Sequence, residues 1–184
     1  MNKQRFDLIV IGGSIGGCLA AYSAAKQGLK VILTEETDWI GGQLTNQGVP
    51  SDEHQYIEQF GSTKSYRAYR ERVRAYYRDH PFIIDDLKSK DVFNPGSGWV
   101  SRIAHDPRLA LHLFHELLLP YVNNEQLVIK TKHKAVFTVN EEDGQPNPLR
   151  EVDNKVDEIL FCGICKGLYG VQHVKGVVIP FSFP

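Results

Sequence analysis

Gly12, Gly13, Ser14 and Gly17 follow directly on the apolar run Leu8–Ile11, and Glu35 comes later in the chain. The separation is close to the roughly 20 residues that divide a phosphate-holding turn from a sugar-holding acid. Each residue type has a chemical use. Glycines let the chain turn sharply from a strand into a helix. Free backbone N–H groups and the positive end of the helix dipole then collect at one spot, where paired phosphates can sit. A carboxylate at the end of the next strand can accept hydrogen bonds from ribose hydroxyls. Read as G-x-G-x-x-G from Gly12, the pattern gives Gly12, Ser14 and Gly17, so serine stands in the middle glycine position. That is the mildest replacement, because the side chain is small and its hydroxyl can itself donate to a phosphate.

These groups act together only if a strand–helix–strand unit holds them. Leu8–Ile11 suits a strand buried on both faces. Ala20, Ala21, Ala24 and Ala25 keep the following helix slim enough to lie close to a sheet, and Gly28 fits the C′ position that ends it before Lys30 opens a second strand. The order predicts a nucleotide-binding βαβ unit in an α/β, Rossmann-like fold. Glu36 stands beside Glu35, so which of the two acids faces a ribose stays open at this point.

A second motif, Thr37-Asp38-Trp39-Ile40-Gly41-Gly42-Gln43-Leu44-Thr45, comes next. Two successive glycines permit positive φ and leave no Cβ in the way of a bulky ligand. With this Gly-Gly segment shortly after the acid, the chain resembles the FAD-dependent oxidoreductases of the two-dinucleotide-binding-domain flavoprotein group. Together with Asn94-Pro95-Gly96-Ser97-Gly98-Trp99-Val100-Ser101-Arg102, it resembles one bacterial family of FAD-dependent oxidoreductases, over roughly residues 5 to 155. The resemblance implies FAD as cofactor. It places Gly12, Gly13, Ser14, Ile15 and Gly17 at the pyrophosphate, Glu35 or its neighbour Glu36 at the adenosine ribose, and Gly41 and Gly42 beside the cofactor. Gln43, Leu44 and Thr45 would lie near the flavin end, Ala135 and Val136 would offer backbone contact to the adenine, and Trp99 and Arg102 would line the flavin or substrate pocket. The activity implied is hydride transfer to the flavin from a small-molecule substrate that the resemblance does not identify.

The chain has 184 residues, 42% hydrophobic and 23% charged, which is enough for one globular domain with a core. Its 21 basic and 22 acidic residues leave a net charge of −1, so no global attraction draws it to nucleic acid or an anionic membrane. The apolar runs fall short of the about 20 residues a spanning helix needs. Asp7 and the glycine turn interrupt any signal-like start, and three cysteines make no disulfide framework, so a cytoplasmic location is expected. Cys18 reads as a small buried residue, and Cys162 with Cys165 forms one C-x-x-C pair with only His173 nearby. His112 and His115, with His105, could ligate a metal, but no further ligand at recognisable spacing follows, and no metal is expected.

Beyond the first unit the pattern predicts a helical insertion. Ser51 or Asp52 caps a short helix through Gln59, and a longer helix runs from about Thr63 to Arg78. The second interleaves arginine with tyrosine, a composition that could touch RNA or phosphate but fits an amphipathic surface helix with tyrosines packed inward. Asp52, Glu53 and His54 form a polar cluster suited to acid–base or substrate contact, or simply a solvated helix start. Asp106-Pro107 begins a third helix that Pro120 should stop. Leu127–Lys130 reads as a parallel strand, and Ala135–Val139 with Val152–Leu160 as a hairpin-like excursion around a turn at Asp143-Gly144.

The resembling family is considerably longer than this chain, and its pattern is not recognisable after about Leu160. The expected organisation is an FAD-binding domain over residues 1–160, with a helical excursion at about 51–120, and an atypical tail over 161–184 outside the family fold. That would make the domain incomplete. Three readings remain open: an FAD-dependent oxidoreductase, a binding-only or inactive fragment of one, and an NAD-binding module. The ribose acid permits all three, and Gly41-Gly42 favours FAD.

Overall fold

The structure, a computed structural model, describes residues 4–139, 146–148, 158–163, 168–172 and 177–178. Among the sequence expectations, the turn at Asp143-Gly144, Cys165 and His173 lie outside the described residues, as do the side chains of Val136 and Cys162. The chain divides into two compact units, Met1–Gly42 with Phe114–Pro184, and Gln43–Leu113.

The first unit contains two sheets. Strands β1 (Gln4–Arg5), β2 (Leu8–Ile11), β3 (Val31–Glu35) and β4 (Leu127–Thr131) precede β5 (His133–Val139), β6 (Pro146–Pro148), β7 (Glu158–Gly163), β8 (Leu168–Gln172) and β9 (Val177–Val178). The parallel sheet has the order β4-β3-β2-β9, with Ile9 opposite Ile32 and Leu33 opposite Ile129. Its central strands are apolar on both faces, and Ile9, Val10, Val31 and Leu33 are fully buried, as expected of strands covered on both sides. The other sheet has the order β1-β8-β7-β5-β6. Its antiparallel β5–β7 pairing sets Phe137–Val139 opposite Glu158–Leu160, the end of the expected hairpin-like excursion, whose residues 152–157 lie outside the described residues, and it has a register shift between Ala135 and Phe137. Val136 is thus the extra residue of a β-bulge, and its backbone lies outside the β5–β7 ladder.

Helix α1 (Ile15–Lys26) connects β2 to β3. Gly17, Cys18, Ala21, Ala24 and Ala25 form its buried face, so small side chains do bring the helix close to the sheet. Gly28 ends it at φ 89°. Gly28 N–H donates to Ala25 and Leu29 N–H to Ala24, the paired bonds of a Schellman stop at a C′ glycine. Asp7 then accepts the Lys30 amide at 3.0 Å and ties the start of β3 to the start of β2.

In the second unit no helix forms over 51–59. The segment turns instead, with Ile57 N–H donating to His54 and Phe60 N–H to Tyr56. Helix α2 (Lys64–Arg78) follows, with the Thr63 hydroxyl accepting the Tyr66 amide as its N-cap, and then the short α3 (Asp85–Lys88). Helix α4 (Pro107–Asn123) starts as expected, the Asp106 carboxylate accepting the Arg108 amide at 2.8 Å. It does not stop at Pro120. Loss of one amide and the ring clash cost about 3 kcal/mol in a helix interior. Here the turn continues past the proline because Leu118 is fully buried and Tyr121, half-buried, stands edge-on to Tyr22 at 5.6 Å. No helix of the described residues is long and apolar enough to cross a membrane.

Candidate functional site

Gly13 is the residue on which the first unit's polar groups converge. Its N–H donates to Glu35 Oε2 at 2.8 Å, and its carbonyl accepts the Gly41 amide at 2.7 Å and the Cys18 thiol at 3.3 Å. The two glycine motifs, separate in the sequence, therefore lie against each other. A Cβ on Gly13 would stand 2.9 Å from Glu35 Cβ and 3.1 Å from Ile40 Cγ2, and one on Gly42 would stand 3.1 Å from Ser14 Cα. Neither position has room for a side chain. Gly12 and Gly41 take φ values of 95° and 106°, where residues other than glycine are strained.

Ser14 is the N-cap of α1, its hydroxyl oxygen accepting the Gly17 amide at 3.3 Å. The hydroxyl proton stays free to donate. Ile15 opens the helix, and the amides of a first helical turn have no acceptor inside the helix. Gly17 is buried under the turn. Burial pushes the Cys18 thiol up to about 12, with the Glu35 charge adding in the same direction. Cys18 is thus a protonated donor to Gly13, as its small-residue reading anticipates.

Of the two acids, Glu35 faces the glycine turn. Glu36 is exposed and pairs with Lys134 at 3.4 Å. Glu35 is held at its other oxygen by Thr37, whose N–H and hydroxyl both donate to Oε1 at 2.8 Å. A carboxylate offers about four acceptor sites, so Oε2 keeps one for a further donor. Sequence reasoning passed over Thr37, although a hydroxyl two residues after an acid is the spacing at which such local bonds form. Nearby, Lys132 donates its amide to the Thr37 carbonyl and pairs with Asp38 at 2.6 Å.

Gln43, Leu44 and Thr45 belong to the second unit. Gln43 Nε2 donates to the Pro50 carbonyl and the Asp52 carboxylate, both at 3.4 Å, while Leu44 and Thr45 are buried. Asp52, Glu53 and His54 do not act as one cluster. Asp52 and His54 are exposed, His54 beside Phe60. The Glu53 side chain is buried and paired with Arg70, and accepts from Tyr66 at 2.7 Å and Ser101 at 2.9 Å. Arg70 also reaches Glu58, and Arg74 joins Glu58 at 2.5 Å and Glu71 at 2.9 Å.

The inward residues of α2 are therefore Arg70, Val73 and Arg74, with Tyr69 and Tyr77 packed partly against the Val73–Ile103–Leu109–Leu113 core. Burial alone would raise Glu53, but hydrogen bonds from Arg70, Tyr66 and Ser101 outweigh it and hold its carboxyl below the usual 4.5. Burial, with Glu53 alongside, pushes the Tyr66 phenol up, and burial lowers His105, which meets the Tyr69 hydroxyl at 2.8 Å. His112 and His115 are exposed on α4, and no group of three metal-binding side chains occurs among the described residues. Trp99 and Arg102 lie on one exposed cleft of this unit.

A strand–glycine turn–helix with an acid and a Gly-Gly loop closed upon it is the geometry of a dinucleotide site, and residues 7–158 match the family described as FAD dependent oxidoreductase. The chain belongs to that family. A stretch of 48 residues is 45% identical to the 3-oxosteroid 1-dehydrogenase of Comamonas testosteroni, covering 26% of this chain and 8% of that protein. A stretch of 51 residues is 45% identical to the mitochondrial dihydrolipoyl dehydrogenase of Caenorhabditis elegans, covering 27% of this chain and 10% of that one. The chain thus matches a tenth or less of the length of these two relatives. Among solved structures, Thermovibrio ammonificans THI4 superposes with a TM-score of 0.50 at 15% identity, over 94% of this chain and 56% of that one, a likeness of fold. The cofactor of the FAD dependent oxidoreductase family fits the residues present: first-turn amides at α1, an open acceptor site on Glu35, and glycines where side chains would collide.

Proposed function

We propose that this chain supplies the FAD-binding part of an oxidoreductase in which a small organic substrate is oxidised. The observation that carries the reading is the convergence on Gly13 of the ribose acid, the phosphate turn and the Gly-Gly loop. When bound, FAD supplies the hydride-accepting chemistry. The chain's own residues bind and orient it. The α1 amides from Ser14 to Gly16, with the Ser14 hydroxyl, take the pyrophosphate, and Gly17, its amide held by Ser14, lets the turn lie close beneath it. Glu35 Oε2 takes a ribose hydroxyl, held in place by Thr37 on its far oxygen. Gly41 and Gly42 leave clearance for the cofactor, and the bulged backbone at Val136 offers amide and carbonyl groups to the adenine.

The purified chain should take up FAD saturably and show flavin absorbance, and Glu35→Ala should lower the affinity by about tenfold, the loss of one or two hydrogen bonds to a charged acceptor. Unchanged FAD affinity in that variant would remove the ribose assignment. An NAD-binding reading uses the same turn and acid, so a parallel titration with NAD is the discriminating control: preference for NAD would overturn the flavin assignment.

A further inference from the structure

The second unit carries a cleft of about 630 Å³ whose lining is one-sided in charge. Lys90 and Arg102 are on it, no acidic residue is, and the apolar contributors are Val92, Phe93 and Trp99. That volume lies within the roughly 300–1,000 Å³ typical of small-molecule sites. Trp99 is 100% exposed. An indole left wholly in water gives up a large apolar area that an occupant could cover.

The cleft is built on rigid parts. Asn94 and Gly98 exchange two hydrogen bonds across the loop, at 3.0 and 3.2 Å. A Cβ on Gly98 would strike the Ser101 carbonyl and one on Gly96 the Ala104 carbonyl, so the loop is pressed against the segment that follows it. Ser97 sits at φ 50°, a left-handed conformation that costs energy and clusters at ligand sites. Phe93 is buried, its carbonyl takes the Arg74 Nε–H at 2.9 Å, and the Arg78 guanidinium lies over its ring at 5.8 Å. The wall is therefore pinned to α2, while the two cations on the rim make no ion pair among the described residues.

We propose that this cleft binds a small organic anion, its planar apolar body stacked on Trp99 and its anionic head paired with Lys90 and Arg102. Arginine presents a planar fork that matches a carboxylate or phosphate, and lysine adds a point charge. The inference goes beyond the FAD reading and does not depend on it.

The test uses the full chain carrying Trp39→Phe, which leaves Trp99 as its only indole, and follows Trp99 fluorescence against benzoate, phenyl phosphate and the neutral benzamide. Saturable quenching by at least one of the anions is expected, about tenfold tighter than by benzamide, a charge-assisted contact at the low end because the site is open. Which anion wins identifies the head group. Affinity should fall with added salt. It should also fall at least fivefold in Arg102→Gln and in Lys90→Gln, exposed positions where circular dichroism should show the fold unchanged. Equal binding of benzamide, no saturation by either anion, or undiminished binding in both variants would overturn the proposal. The assay contains no flavin, so its failure and a failure of FAD uptake are separate results.

Discussion

The two units bury polar atoms in opposite ways. At Gly13 the first unit does it with backbone: one amide and one carbonyl satisfy a carboxylate, a second glycine and a thiol. At Arg70 the second unit does it with charge, one guanidinium at 2% exposure shared between Glu53 and Glu58. The first arrangement restricts residue types, because only glycine fits at Gly13 and only an acid at the end of β3 reaches its amide. The second restricts residue positions, because any arginine or glutamate will serve if the fold delivers it to the right place. A backbone-built site leaves amides available to a ligand, whereas a charge-built cluster is already neutralised and acts to fix the segments that carry it.

The sharpest way to break this contrast is to remove Arg70. Losing one partner of a buried ion pair leaves the other charge uncompensated and costs about 3–5 kcal/mol, so Arg70→Ala should lower the stability measured by urea denaturation by that amount. An exposed pair is worth about 0–1 kcal/mol. A loss of that smaller size would mean that Glu53 and Glu58 are solvated in the folded chain and that the network is no core at all.

The counterpart in the first unit is Gly13→Ala. A methyl 2.9 Å from Glu35 Cβ and 3.1 Å from Ile40 Cγ2 must push one of them away, and overpacking of this kind costs about 1–3 kcal/mol. Because the side chain most easily displaced is the Glu35 carboxylate, FAD affinity should fall by more than stability does. Isothermal titration beside thermal melts reads both. A variant that loses stability yet binds FAD as before would show that Glu35 serves the fold rather than the ribose.

The pH dependence separates the units again. Glu53 has a folded value below its ordinary 4.5, so it contributes stability that is fully present above 4.5 and is lost as pH falls through the folded value. Acid titration of denaturation midpoints should therefore show a loss below pH 4.5 that Glu53→Gln removes, at the expense of lower stability near neutrality.

What the sequence revealed follows the same division. Gly12, Gly13, Ser14, Gly17, Gly28 and Glu35 were legible because strand, turn, helix and stop each demand particular residues at fixed offsets. Glu35 could be told from Glu36 only in three dimensions, where the strand ending at Glu35 turns one acid to Gly13 and leaves the other to Lys134. The ion network was not legible. The segment 51–59 has the composition of a capped helix, but a helix would put Glu53 and Glu58, five positions apart, on different faces, and both must reach Arg70. Tertiary pairing overrides local propensity there. In α2 the tyrosine–arginine interleaving does mark an amphipathic helix, yet Arg70 and Arg74 share the inward face with Val73 because Glu53 and Glu58, from the segment just before the helix, meet them there. At Pro120 the general rule failed because packing of Leu118 and Tyr121 outweighs one lost hydrogen bond.

The smallest effect gives the most direct comparison, because both units begin a helix with the same device. The Ser14 hydroxyl accepts the Gly17 amide in α1, and the Thr63 hydroxyl accepts the Tyr66 amide in α2. Replacing either by alanine should cost about 1 kcal/mol, the usual value of an N-cap. Equal losses in stability are thus expected of Ser14→Ala and Thr63→Ala. They should part at the cofactor: Ser14 keeps a hydroxyl proton to donate where the phosphates would lie, so Ser14→Ala should also weaken FAD binding by about fivefold, one hydrogen bond's worth. Thr63→Ala should leave it unchanged. If the two variants behave alike toward FAD, the α1 terminus is a structural cap like any other, and the phosphate assignment loses the one side chain that supports it.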